Sequence, residues 1–212
     1  MRRAEALDAL TEAANEQGGY VSGPQAKRLG VGRKDIDRLV AAGDLQRVRR
    51  GVYRMRHAQS RFEDEVAAWL HLQRDLLPWE RRDEPHAVLS HESAAGFHGL
   101  GTIIPGRPTF TALRGPRTTA ADDLVLHHMQ LSDQDWAWER DETLSLPVTT
   151  PARTIIDLIL SREEPSYIVR ATREALARGQ TTPEKLRETA RRRKSNSRAI
   201  EERVARLLEE IT

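Results

Sequence analysis

The spacing of apolar residues changes at Gly43, and that change limits what the first quarter of the chain can fold into. Ahead of it, Ser22-Gly23-Pro24-Gln25 has the composition of a helix start: Ser22 to cap, Gln25 to close the box, and Pro24 in the first turn, where its missing N–H costs nothing. This helix, over Pro24–Leu29, is brief and ends at Gly30. Gly30-Val31-Gly32 reads as a tight turn in which Gly32 lets two helices approach closely. A second helix over Arg33–Ala42 places Ile36, Leu39 and Val40 on one core-facing side, and Gly43 suits a left-handed cap. Beyond Gly43, Leu45, Val48, Val52-Tyr53 and Met55 suggest two short strands around a turn at Arg49-Arg50-Gly51. Ala4–Glu16 is helical before Gly18-Gly19, and Tyr20-Val21 is extended. Helix, strand, short helix, tight turn, second helix and hairpin together predict a winged helix-turn-helix over residues 1–56.

Charge points the same way. The whole chain of 212 residues has a net charge of +2, yet residues 1–56 hold 12 Lys and Arg against 7 Asp and Glu. Within Ser22–Arg56 the ratio is 10 to 3, the electrostatic footprint of a nucleic-acid surface. In a helix-turn-helix the N-terminal part of the second helix meets base edges in the major groove. Here that part carries Arg33 and Lys34, with Asp37-Arg38 one turn on. The hairpin adds Arg47, Arg49, Arg50 and Arg54, expected at phosphates or the minor groove. Strict alternation would put Arg47 and Arg49 on one face and Arg50 on the other.

His57–Ser60 reads as a linker, and Phe62–Leu77 as a helix with a broad apolar stripe. Pro78–Pro85 is loop-like. Short elements follow: Ala87–Leu89 extended, Ser90–His98 helical, and Pro108–Leu113, Leu124–Met129 and Leu146–Thr149 as strands. Thr150-Pro151 opens a helix through Leu160, and three more run over about Ser166–Ala177, Pro183–Arg192 and Ser197–Ile211. Residues 62–212 are therefore expected to be a larger mixed α+β domain with C-terminal helices. No run approaches the roughly 18 apolar residues of a membrane span, and Met1-Arg2-Arg3 leads into acidic residues rather than an apolar signal core. Without cysteine, disulfides and thiolate zinc sites are excluded. These features together point to the cytoplasm.

Three stretches carry a resemblance. Ala26…Leu29-Gly30-Val31…Leu39-Val40…Gly43-Asp44-Leu45…Arg47-Val48-Arg49-Arg50-Gly51-Val52-Tyr53 resembles the winged domain of AbiEi-type antitoxins of type IV toxin–antitoxin systems. The similarity continues in Leu89-Ser90-His91-Glu92-Ser93-Ala94-Ala95…His98-Gly99-Leu100 and in Pro147–Leu158. It implies an autorepressor that binds double-stranded DNA at its own promoter. It also implies that the C-terminal domain neutralises a nucleotidyltransferase-like toxin without forming a stable complex.

Catalytic alternatives have to be weighed on residues. His91-Glu92 begins like a zinc-protease motif, but Ala95 stands where the second histidine belongs. A common restriction-type nuclease site needs a carboxylate two residues before a lysine. Gln25, Gly32, Pro183 and Arg192 occupy those places before Lys27, Lys34, Lys185 and Lys194. A nucleotidyltransferase signature, a P-loop and a nucleophile elbow are also missing. Arg153 and Asp157, one turn apart, suit an intrahelical ion pair. The Arg191–Lys194 run suits either a helix C-terminus or a second nucleic-acid surface. The resulting expectation is a regulator without catalytic activity, cofactor or metal. A solitary ligand- or partner-responsive regulator is the alternative, and a nucleic-acid-processing enzyme built around His91, His98 and Asp157 is the third reading.

Overall fold

A computed structural model describes residues 1–81, 85–113, 123–141, 144–161, 163–193 and 196–211. They form two compact units, one from 1–87 with 138–146 and the other from 88–113, 123–137 and 147–211. None of the helices among the described residues is long and apolar enough to cross a membrane.

The first unit opens with α1 (Arg3–Asn15), β1 (Tyr20–Ser22), α2 (Gly23–Arg28) and α3 (Arg33–Ala41). A hairpin of β2 (Leu45–Arg49) and β3 (Val52–Met55) follows, then α4 (Glu63–Leu72). The sheet order is β1-β3-β2, with both pairings antiparallel. This is the winged helix-turn-helix expected from the sequence. Ser22 caps α2 by accepting from Gln25 N–H at 3.2 Å. Ala6, Leu10, Val21, Ala26, Val31, Ile36, Leu39 and Leu45 form its core.

Three details differ from expectation. Gly30, with φ +82°, makes the helix-helix turn. Gly32 has an ordinary φ of −75°, and a Cβ there would meet only Asp35 Oδ2 at 3.6 Å, so the close approach expected at Gly32 does not require glycine. Val40 lies outside the core, 37% exposed, because Ile36 and Leu39 already cover the narrow buried side of α3. The helix read over Phe62–Leu77 stops at Leu72. Pro78 forces Leu77 into an extended conformation, ψ 156°, and the chain unwinds before it. The carbonyls freed there are used: Ser22 Oγ donates to Arg74 O, and Gln25 Nε2 donates to Leu76 O at 2.6 Å.

Buried polar bonds extend this join. Gln17 and Gln25 exchange side-chain hydrogen bonds, and Arg81 donates to Gln17 Oε1 at 2.7 Å and to Gln73 O at 2.7 Å. The Arg81 guanidinium stacks 4.9 Å from the Trp69 ring, and burial pushes its pKa down to about 10. Trp69 in turn meets Trp138 edge to face at 5.8 Å.

The chain continues with β4 (Ala87–Leu89), α5 (His91–His98), β5 (Thr109–Ala112), β6 (Val125–His127), β7 (Trp136–Asp141) and β8 (Leu144–Thr149), of which Ala87 and 138–146 are counted in the first unit. Helices α6 (Pro151–Ser161), α7 (Pro165–Ala177), α8 (Pro183–Arg191) and α9 (Ser197–Ile211) follow. The strands run β6-β5-β4-β8-β7, with β4 parallel to β8 and β5 parallel to β6. α6 is the central helix, buried at every position from Ala152 to Ile159. Leu100, Ile168, Ala171, Leu186, Ile200 and Val204 pack in the same cluster. β7 was not foreseen: it is an edge strand whose Glu139 and Arg140 mask the alternation begun by Trp136 and Trp138.

Two outcomes test this packing. Gly30→Ala must hold a side chain at positive φ, and chemical denaturation should show a loss of about 1–2 kcal/mol. Glu80 accepts a bidentate pair from Arg28 and a 2.8 Å bond from Leu77 N–H. Arg28 first, then that N–H, holds the Glu80 pKa down to about 2 from 4.5. A carboxylate lowered in the folded state stabilises fully above its unfolded pKa and loses that effect as the pH falls through its folded value. The difference in denaturation midpoint between the native chain and Glu80→Gln should be largest above pH 4.5 and close as the pH falls to about 2.

Candidate nucleic-acid interface

α3 begins at Gly32, whose N–H donates to Asp35 Oδ2 at 3.3 Å. That bond fixes the first turn and leaves Arg33 and Lys34 exposed on it. One turn on, Asp37 and Arg38 are exposed as well. With Ile36 and Leu39 pointing inward, the outward side of the helix carries a mixed set of charges. Arg38 donates to Asp35 and, at 3.3 Å, to Met1 O, yet keeps 64% of its side chain exposed. Arg3 donates twice to Asp44, linking the start of α1 to the residue just past Gly43. Lys27, at the end of α2, is exposed beside the turn.

The wing departs from simple alternation. Arg47 stands opposite Tyr53, but Arg49 stands opposite Val52, so Val48 is an extra residue in β2. Partners across an antiparallel pair share a face, and Tyr53 and Val52 are neighbours on opposite faces. Arg47 and Arg49 are therefore split between the two faces, contrary to the expectation that they share one. Arg47 is exposed and Arg49 half-buried. Arg50 is exposed in the turn, where Gly51 takes φ +76°. Arg54 is turned inward: it donates to Glu63 at 2.7 Å and Gln46 at 2.5 Å, with its side chain 19% exposed.

Sequence reasoning left Lys27 and Asp37 out of its site set. Asp37 has a legible signal, standing three and four residues after Lys34 and Arg33 on the helix. A carboxylate in that position can accept from cytosine N4.

His91, His98 and Asp157, the residues of the enzyme reading, each have a partner within the second unit. His91 is buried at φ +53°, with Nδ1 2.9 Å from Ser90 Oγ and its ring stacked on His127 at 3.8 Å. Burial above all, then the neighbouring His127 and Arg153, pushes its pKa down to about 3, leaving it neutral. His98 Nε2 lies 2.7 Å from Thr149 O, and Arg153 Nε donates to Asp157 at 2.8 Å inside α6. Of the Arg191–Lys194 run, Arg191 pairs with Glu201, Arg192 pairs with Asp135 and Glu188, and Arg193 is half-buried. Lys194 lies outside the described residues. No group of three or more His, Asp or Glu among the described residues could hold a metal ion.

Residues 8–56 match the sequence model of the family described as transcriptional regulator, AbiEi antitoxin. No curated protein matches the chain. The fold is similar to the crystal structure of the RV2827C protein from Mycobacterium tuberculosis, with a TM-score of 0.58 and 16% sequence identity. That similarity covers 96% of this chain and 76% of the other.

The two kinds of wing arginine should separate by experiment. Arg54→Met should lower the melting temperature and leave the salt dependence of duplex binding unchanged. Arg47→Ala should leave the melting temperature in place and, by anisotropy across a salt series, reduce the slope by about 0.9.

Proposed function

We propose that the protein is a DNA-binding transcriptional regulator of its own promoter. Residues 1–56 engage the operator, and residues 62–212 serve a partner. The observation that carries this reading is the exposed Arg33-Lys34-Asp37-Arg38 side of α3 beside a wing bearing Arg47 and Arg50. Both lie within the segment that matches the regulator family. In this reading α3 enters the major groove, where Arg33 or Lys34 can reach guanine O6 and N7 and Asp37 can accept from cytosine. Arg47, Arg49 and Arg50 hold phosphates and set the register without reading sequence. Arg38 is steered by Asp35, and Arg54 orients the wing through Glu63.

The family description supports a second element of the proposal, that the protein is an antitoxin; the resemblance extends this to a type IV pair with a nucleotidyltransferase-like toxin. Co-expression with the toxin of the same operon, scored by growth, tests that element separately.

Fluorescence anisotropy of the full chain, with a duplex from its upstream region and a scrambled duplex at several salt concentrations, tests the regulator reading. Preference for the upstream duplex should reach about a thousandfold or more. Arg33→Ala should cost about 1–3 kcal/mol on the upstream duplex and much less on the scrambled one. Equal losses on both would remove Arg33 from base reading, and equal affinity of the native chain for both would remove sequence-specific regulation.

A further inference from the structure

Within the second unit, a cavity of about 850 Å³ is lined by Arg153, Arg192, Arg193 and Asp135, with Leu113, Met129 and Leu131 as apolar wall. Sequence alone gives Arg192 and Arg193 as part of a surface run. The fold carries them past the end of α8 and onto this cavity, beside Arg153 of α6.

The hydrogen bonds around it leave a specific remainder. Arg153 donates through Nε to Asp157 Oδ1 at 2.8 Å and through Nη1 to Asp135 Oδ2 at 3.2 Å and Gln130 O at 3.3 Å. Arg192 donates through Nη2 to Asp135 Oδ1 at 3.1 Å and through Nη1 to Glu188 at 2.9 Å. Four donors are left over. Nη2 of Arg153, Nε of Arg192, and Nε and Nη1 of Arg193 are buried without an acceptor among the described residues. Arg153 itself is only 1% exposed. Buried polar atoms are almost always satisfied, so a group of unpaired cationic donors around one cavity calls for an acceptor.

The carboxylates leave one spare oxygen for these four donors. Asp135 is already held by Ser132 N–H at 2.9 Å and by both Arg153 and Arg192. Asp157 is fully buried on α6 and bonded to Arg153 through Oδ1, while its Oδ2 is without a donor among the described residues. Asp135, Asp157 and Glu188 thus balance the three guanidinium groups in charge, but they leave most of the unpaired donors without an acceptor.

We propose that this cavity binds a small molecule through a phosphoryl group. A phosphoryl group offers three acceptor oxygens, a better match to four unpaired donors than a carboxylate with two. Guanidinium forks suit that geometry, and the volume is that of a small-ligand site. Leu113, Met129 and Leu131 would cover the organic part of an ester. Arg193 is the residue with most to gain, since two of its donors are unpaired. This site is independent of the DNA-binding reading, which involves other residues in the other unit.

Isothermal titration of the full chain with phenyl phosphate tests the site, with inorganic phosphate and benzoate as comparators at constant ionic strength. One saturable site per chain is expected, with benzoate at least about tenfold weaker. Tighter binding of phenyl phosphate than of inorganic phosphate assigns an ester, and equal binding assigns free phosphate. Arg193→Gln should weaken phosphate binding about tenfold or more at an unchanged melting temperature. Met129→Glu, which sets a negative charge on the wall, should do the same and serves if Arg193→Gln fails to fold. Arg47→Ala with Arg50→Ala should leave this binding intact. The proposal is overturned if heats equal those of matched chloride, if benzoate binds as tightly, or if both cavity variants bind as the native chain does. Loss of binding in the wing variant alone would also overturn it.

Discussion

The ion pair between Arg153 and Asp157 lies on a helix enclosed along nearly its whole length. Ile155, Ile156, Leu158 and Ile159 of α6 pack with residues of the surrounding helices, and two ionised side chains share that interior with them. Desolvation opposes both charges, and the pair persists because each is bonded to the other. The balance is visible in the acids. Burial raises the Asp157 pKa to about 6 despite Arg153. At Asp135 burial also works against ionisation, but Ser132 N–H, Arg153 and Arg192 outweigh it and hold the pKa below the usual carboxylate range. Removing one partner would strand a charge in the core, at a general cost of about 3–5 kcal/mol. The placement of α5, α7, α8 and α9 around α6 therefore depends on a small polar network being complete.

The first unit solves a different problem. Its apolar core draws on α1, α2, α3, β1 and β2, and α4 lies against all three strands as a further cover. Gln17, Gln25, Ser22 and Arg81 make this cover specific, since each bonds a carbonyl or side chain that a shifted α4 would leave unpaired. Arg28 and Arg54 are drawn into the same join by Glu80 and Glu63. Arg33, Lys34, Arg38, Arg47 and Arg50 remain exposed on α3 and the wing.

The winged fold was legible because each of its elements has a local cause. Ser22 and Gln25 start α2, Gly43 and Gly51 take positive φ as their positions suggest, and the change of period marks the hairpin. The limits of legibility are equally physical. Arg54 is indistinguishable in sequence from Arg47, and only the later Glu63 separates them. Arg192 and Arg193 read as a helix terminus or a nucleic-acid surface because the cavity they line also takes in Asp135, 57 residues away from Arg192. The stripe after Phe62 continued past Leu72 on periodicity, yet Pro78 and the carbonyl bonds to α2 ended the helix earlier.

Val48 gives the wing an odd residue. In a hairpin the parity of each strand decides which side chains share a face, so one codon inserted or lost between Arg47 and Arg49 would exchange the environment of Arg49 while leaving composition and net charge almost unchanged. Related chains could thus retune backbone contacts by a change in length where the recognition helix would need substitution. The two parts of such an interface would then diverge by different kinds of genetic event, and comparison by residue identity alone would register only one of them.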